Sequence, residues 1–171
     1  KDEYMPANLS FLSAIFVVFF LNVTPVGAAG VVDNNNGSVT DSATNLVWQK
    51  GDSFHELKKG LNWYEALEYI AIKNSENFAG HGNWRLPTLK ELNSLWISSG
   101  KIKSKDSETL GLPSGFESGG SYYLWSGDER GLDNAWYFGL GNKENYFNLK
   151  DLADMEQGVK MVHIISSVQY P

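Results

Sequence analysis

Cysteine is absent from the 171-residue chain. Disulfides, thiolate metal sites and cysteine nucleophiles are therefore excluded. Basic residues are scarce as well, because 14 Lys and Arg stand against 20 Asp and Glu, which gives a formal net charge of −6. Proteins bind nucleic acids and similar polyanions mainly through Lys and Arg, which release counterions from the ligand. We therefore expect no nucleic-acid partner.

Recognisable catalytic motifs are also missing. The sequence contains no nucleophile–base–acid pattern, no phosphate-binding glycine loop and no metal-ligand spacing. His55, His81 and His163 are far apart in sequence, and we interpret each as structural or solvated. The run Asp33–Asn36 could be taken for a calcium loop, but it lacks the Gly and Glu positions of an EF-hand. We predict a protein without enzymatic activity, metal or cofactor, with calcium at Asp33–Asn36 as the alternative.

The longest apolar run lies near the start of the sequence. Residues 9–26 are almost continuously apolar, and the small residues Gly27, Ala28 and Ala29 follow, as signal peptidases require. We predict that residues 1–28 are a signal peptide and that residues 29–171 form one exported domain, periplasmic, cell-surface or secreted. The alternative is an uncleaved membrane anchor, because the run approaches the length that spans a bilayer.

Turn and capping residues predict a hairpin followed by a helix. Asn36-Gly37 is a common tight-turn pair, and the segments 38–40 and 46–48 on either side alternate as strands do. Asn62 and Glu65 have the spacing of a capping box, which predicts a helix over residues 62–74.

A proline-restricted segment leads into a second predicted helix. Pro87 holds Leu86 in an extended conformation, and Thr88 can cap a helix whose third residue is Glu91. Arg85 lies between apolar neighbours, so its guanidinium requires a fixed acceptor, either Glu91 or an acid elsewhere.

These residues carry a family resemblance. The run Trp84-Arg85-Leu86-Pro87-Thr88, followed by Lys90-Glu91-Leu92, resembles the signature of the Lcl C-terminal domain family. Residues 33–49 are similar to the opening segment of that family, and Leu124-Trp125-Ser126 with Asn134-Ala135-Trp136 is similar to its later tryptophan motifs. The resemblance covers residues 31–165 of the sequence.

The resemblance implies an α+β fold of the C-type-lectin-like kind, related at a distance to sulfatase-modifying factors. Two helices would pack on a twisted, mostly antiparallel sheet. It also implies an adhesion module at a bacterial surface. The cysteine-dependent catalysis of the sulfatase-activating enzymes cannot occur in a chain without cysteine. The calcium and sugar motifs of C-type lectins are missing as well.

The second half of the sequence changes from loop-like to strand-like. Residues 97–120 are polar and rich in Gly and Lys, which predicts a long loop. After them, the β-prone segments 122–126, 134–140, 145–149 and 159–166, separated by glycines, predict an antiparallel sheet that closes against the first hairpin.

The candidates for ligand binding are aromatic and acidic side chains of this second half. Strand alternation places Tyr123 and Trp125 on one face and Tyr122 and Leu124 on the other, and we expect Trp125 in the core. Aromatic faces with nearby acids suit a glycan or protein ligand. The candidates are Tyr122, Tyr123, Asp128, Glu129, Asp133 and Tyr137.

Two other functions stay open from the sequence. Asp128 or Glu129 could serve a glycan-acting hydrolase if a distant acid opposed it across a cleft. The domain could instead have a structural role and form homo-oligomers.

Overall fold

Residues 30–165 are described by a computed structural model, and they form an α+β fold with antiparallel sheets. The predicted signal peptide, residues 1–28, lies outside the described residues. Within residues 30–165, every helix is too short or too polar to cross a bilayer.

The strands of residues 30–165 form three antiparallel sheets. In chain order they are β1 (Val31–Asp33), β2 (Ser38–Asp41), β3 (Leu46–Gln49), β4 (Ile102–Lys103), β5 (Thr109–Leu110), β6 (Tyr123–Arg130), β7 (Asn134–Gly139), β8 (Glu144–Leu149) and β9 (Val162–Ile164). One sheet has the order β1-β2-β3-β9, the second has the order β6-β7-β8, and β4 pairs with β5. The predicted hairpin is β2–β3. The last described strand, β9, pairs with β3 of this hairpin, but β6, β7 and β8 form a sheet of their own, so the predicted single sheet is divided in two.

Two of the helices begin where the capping residues predict. The helices are α1 (Ser53–Leu57), α2 (Trp63–Ser75) and α3 (Leu89–Leu95), with a 3₁₀ turn at Phe78–Gly80. Asn62 accepts a hydrogen bond from the Glu65 N–H, and Thr88 accepts one from the Glu91 N–H. Each glutamate side chain in turn accepts from the backbone of its cap residue, so both capping boxes are complete.

The prediction of two helices is wrong, because α1 is a third. Asp52 caps α1 by accepting from the Phe54 N–H, and the Nδ1 atom of His55, the third helical residue, lies 3.1 Å from the Asp52 backbone nitrogen and 3.0 Å from its carboxylate. Five residues are too few to show a helical apolar period, so the sequence pattern could not indicate α1.

The predicted long loop is also partly wrong, because β4 and β5 lie within residues 97–120. Strands of two residues show no alternation that a sequence pattern could detect. Asp128 and Glu129 lie on β6, whereas the predicted strand ended at residue 126 and left them in the following loop, because β6 extends to Arg130. A β-bulge between Trp125 and Glu129 carries the strand past these acids.

Two hydrophobic clusters form the core, and β6 contributes to both. Trp125 is fully buried in the cluster that includes Trp63 and Trp84, with Tyr123 packed against it. Leu124 is fully buried in the cluster that includes Leu92, with Tyr122 packed against that one. The predicted alternation along this strand is confirmed.

Candidate ligand-binding site

Three chain segments enclose an open cleft of about 380 Å³ beside the first residues of β6. The first segment surrounds the β4–β5 turn, the second is the start of β6, and the third precedes β9. We call this site the tyrosine–acid cleft, and it is lined by Lys105, Asp106, Glu108, Tyr122, Tyr123, Asp154, Met155 and Glu156.

Backbone hydrogen bonds fix the segments relative to one another. The N–H of Lys105 donates to the carbonyl of Gly120 at 2.7 Å, which joins the first segment to the chain just before Tyr122. Gly158 donates to the carbonyl of Tyr123 at 2.8 Å and accepts from the N–H of Trp125 at 3.0 Å. Backbone hydrogen bonds therefore join all three walls of the cleft to one another.

Tyrosine rings form the aromatic wall of the cleft. The rings of Tyr122 and Tyr123 meet edge to face, with centroids 4.7 Å apart. Tyr123 also packs edge to face on Tyr137 at 5.4 Å and on Tyr146 at 5.7 Å. A Cβ atom at Gly141 would lie 2.3 Å from the Tyr122 ring, so only glycine at this position leaves room for the ring.

Acidic groups dominate the charge of the cleft. Four carboxylates, those of Asp106, Glu108, Asp154 and Glu156, stand against the single ammonium of Lys105, so the lining carries three net negative charges. Lys105 binds Asp106 at 2.7 Å and Glu156 at 2.6 Å, and these bonds raise the pKa of the Lys105 ammonium.

Tyr122 stays protonated at neutral pH. Burial raises the pKa of its phenol above the ordinary 10.0, and Tyr123, Glu108 and Glu144 raise it further. Its hydroxyl can therefore both donate and accept a hydrogen bond.

The sequence-predicted candidates fall into two groups. Tyr122 and Tyr123 line the cleft, and Tyr137 is 5% exposed behind Tyr123. Asp128, Glu129 and Asp133 lie at the other end of β6 or in the turn after it. Glu129 lies six positions after Tyr123 along β6, a distance on the order of 20 Å.

The three distant acids make local contacts or face solvent. The Asp128 carboxylate accepts a hydrogen bond from the N–H of Leu89 at 2.6 Å, at the start of α3. Glu129 pairs with the buried Lys150. Asp133 is exposed.

The family-signature residues have structural positions. Leu86, Pro87 and Leu92 are buried, as is Trp84, and the Arg85 guanidinium pairs with Glu91. Trp136 differs from Trp125 because it is only half-buried. Its ring lies 5.6 Å from that of Phe147, on the side of the three-stranded sheet that carries Arg130.

Side-chain oxygens of the candidate calcium loop, Asp33–Asn36, bind other groups of the protein. Asp33 binds the Lys50 ammonium at 2.7 Å, and Asn34 and Asn36 accept hydrogen bonds from Thr40 and Ser38. Across residues 30–165, no three His, Cys, Asp or Glu side chains are grouped as metal ligands would be.

Sequence reasoning missed six of the eight residues that line the cleft: Lys105, Asp106, Glu108, Asp154, Met155 and Glu156. They come from segments about 50 positions apart, and no local pattern connects them. The one available signal was the length of the polar stretch 97–120, since such stretches are often functional.

Comparison with known families gives a single assignment. The model of the family described as the Lcl C-terminal domain matches residues 37–162. Comparisons with curated proteins and with solved structures give no match. The match covers most of the chain and includes both capped helices and the signature around Arg85, so this chain belongs to the Lcl C-terminal domain family.

Proposed function

We propose that this protein is an exported, non-enzymatic binding module that holds a neutral or amine-bearing glycan in the tyrosine–acid cleft at the bacterial surface. The observation that carries the proposal is the pairing of Tyr122 and Tyr123 with surplus carboxylates in one concave site. Membership in an adhesin-associated family supports a surface location.

The lining matches the chemistry of a sugar. Carbon–hydrogen faces of a pyranose ring pack on aromatic rings, and its hydroxyls bond to carboxylates and phenols. The volume of about 380 Å³ falls within the range of roughly 300–1,000 Å³ that small-ligand pockets occupy. The Asn148 amide donates to Asp154 at 2.6 Å, which orients one carboxylate before a ligand arrives.

The charge of the cleft selects among glycans. Three net negative charges repel sulfate and carboxylate groups and attract an amine, and salt weakens both effects. We therefore place sulfated glycans among the poorer ligands of this chain.

Hydrolysis by Asp128 or Glu129 has less support. A hydrolase requires two carboxyl groups that face each other across the scissile bond. Asp128 contacts the first turn of α3 and Glu129 contacts Lys150, so these two acids bind different elements outside the cleft.

We also propose a more specific fold for the domain. The family resemblance implies a C-type-lectin-like fold, in which the chain ends meet. The first and last described strands, β1 and β9, belong to one sheet, where they form its opposite edges with β2 and β3 between them.

A glycan array tests the ligand class. We expect the exported domain, residues 29–171, to bind neutral or amine-bearing glycans, with or without calcium, and to ignore sulfated ones. Tyr122→Ala and Tyr123→Ala should each weaken binding about tenfold, because each loses one stacking face. Tyr64→Ala is the matched control, because Tyr64 is 54% exposed outside the cleft.

Three outcomes contradict the proposal. Preferred binding to sulfated glycans would reject the charge argument, and equal binding by all three tyrosine variants would reject the site. Release of reducing ends from a bound glycan would replace the binding module with a hydrolase.

A further inference from the structure

The last described strand is attached on both of its edges. On one side β9 pairs with β3, where His163 lies opposite Val47. On the other side Val162 exchanges two backbone hydrogen bonds with Arg85, each 3.0 Å long. The strand has three residues, so a single side chain can decide whether it stays in place.

His163 sits in a pocket of aromatic rings. It is 3% exposed. Its imidazole centroid lies 4.0 Å from that of His81 and 4.6 Å from the ring of Trp84, which it meets edge to face. Trp84 is itself buried in the core. The sequence places His81 and His163 more than 80 positions apart, and folding makes them neighbours.

The hydrogen-bond environment of His163 favours the neutral form of its imidazole. Its Nδ1 lies 3.0 Å from the carbonyl oxygen of Ile164, to which it can donate. Its Nε2 is buried and has no hydrogen-bond partner within residues 30–165. A second proton would create a buried cationic N–H without an acceptor, which is costly.

The charges around His163 also oppose its protonation. The segment from His81 to Leu86 presents His81 and Arg85, and the Arg85 charge is shared with Glu91. The paired strand β3, Leu46–Gln49, carries no ionisable side chain. Burial lowers the pKa of His163 below its ordinary 6.5, and positive charge on His81 and Arg85 lowers it further, against a raising effect of the Ile164 carbonyl.

We propose that β9 is an acid-sensitive latch, in which proton uptake by His163 in acid releases the strand from β3 and from Arg85. Release frees one edge of β3, whose N–H and C=O groups can then pair with another strand. The latch uses none of the residues that line the tyrosine–acid cleft, and it goes beyond the proposed function.

Proton linkage sets the size of the effect. Released His163 takes up a proton near pH 6.5, whereas docked His163 resists it. The contribution of His163 to docking is therefore complete above pH 6.5 and is lost as the pH falls. Each pH unit below that point favours release by about tenfold until docked His163 is protonated as well.

Amide hydrogen exchange of the exported domain tests the latch. Between pH 7.5 and pH 5.0, we expect protection factors, corrected for the intrinsic exchange rate, to fall by more than about threefold in β3 and β9. Protection in β7, the centre of the three-stranded sheet, should change by less than about threefold.

Variants of the three histidines separate the latch from general acid sensitivity. His163→Phe keeps an aromatic ring without a titrating group and should abolish the response. His81→Asn removes one neighbouring charge at a half-buried position, which brings the pKa of docked His163 closer to 6.5, and should make the response smaller. His55→Asn is the matched control, because His55 lies in the first turn of α1 and not in the aromatic pocket of His163, and it should keep the full response.

The latch can be tested even if one variant does not fold. If His163→Phe fails to fold, an NMR titration of the wild-type imidazoles takes its place, and His163 should titrate below 6.5 together with loss of the β9 amide signals. Unchanged protection of β9 at pH 5.0 overturns the latch. So does an acid response that His163→Phe retains.

Discussion

The guanidinium of Arg85 donates two hydrogen bonds to the carboxylate of Glu91, at 2.8 and 2.6 Å. The same carboxylate accepts from the N–H of Thr88 at 2.8 Å and so completes the capping box of α3. One side chain therefore ends the extended segment, begins the helix and neutralises the arginine. Such bidentate pairs are stronger than single contacts because the geometry of both groups matches.

Replacing this carboxylate should destabilise the domain. We expect Glu91→Gln to lower the free energy of unfolding by about 1–2 kcal/mol, because it weakens a cap and a half-exposed ion pair together. Urea denaturation measures the loss. Lys90→Gln, at the exposed neighbouring position, is the control and should change stability by less than about 0.5 kcal/mol. Equal effects of the two substitutions would contradict this role of Glu91.

The contribution of Glu91 should depend on pH. Burial raises the pKa of the Glu91 carboxyl, but the bonds from Arg85 and Thr88 outweigh burial and leave that pKa below the ordinary 4.5. The contribution is therefore complete above pH 4.5 and is lost as the pH falls through the pKa in the folded protein. The stabilities of wild type and Glu91→Gln should converge in acid when measured by urea denaturation. A constant difference between pH 7 and pH 3 would reject the linkage.

His55 should show the opposite pH dependence from His163. The hydrogen bond to Asp52 raises the pKa of His55 above 6.5, against the effect of burial. The contribution of charged His55 is complete below pH 6.5 and is lost as the pH rises through the pKa in the folded protein. His55→Asn should therefore cost more stability at pH 6 than at pH 9 in thermal denaturation. A larger cost at pH 9 would show that the neutral ring carries the contact.

A methyl group at Gly141 should disturb the cleft through one side chain. The Cβ atom of Gly141→Ala would lie 2.3 Å from the Tyr122 ring, so the ring must move. We expect weaker glycan binding and shifted Tyr122 signals in NMR spectra. Gly127→Ala is the matched control, because its nearest contact is an ordinary 3.4 Å from Leu86. Normal binding by Gly141→Ala would separate Tyr122 from the ligand site.

Asp128 should matter for stability and not for binding. Asp128→Ala removes the acceptor of the Leu89 N–H and should lower the free energy of unfolding by about 1 kcal/mol. Glycan affinity should stay unchanged, because Asp128 lies at the far end of β6 from the cleft. Asp133→Ala is the control, since Asp133 is exposed in the turn after that strand. Loss of glycan binding by Asp128→Ala would contradict this prediction and would favour a hydrolase that uses Asp128 or Glu129.

The errors of the sequence interpretation share a physical cause. The short helix α1 and the strands β4 and β5 are too brief for an apolar period to appear. Their positions depend on contacts with distant chain, such as the Asp52 carboxylate that accepts from the N–H of Ser121 at 2.7 Å. Asp52 and Ser121 are 69 positions apart, so a local sequence pattern cannot indicate their contact.

The sequence by itself determined the features that arise within a few residues. The capping boxes at Asn62 and Thr88 and the alternating faces of β6 follow from spacing, because helix and strand geometry fix which neighbours meet. The sequence also required an acidic partner for Arg85, and the structure selected Glu91. The absence of cysteine and the net acidity are also properties of the sequence alone.

Only the tertiary structure decided which distant groups share a site. It brought Lys105 and Glu156 to the rings of Tyr122 and Tyr123, separated these tyrosines from Asp128 and Glu129, and placed the ring of His163 against that of His81. Such pairings depend on how sheets and loops pack, and the packing free energy is a sum over the whole core that no local pattern of residues encodes.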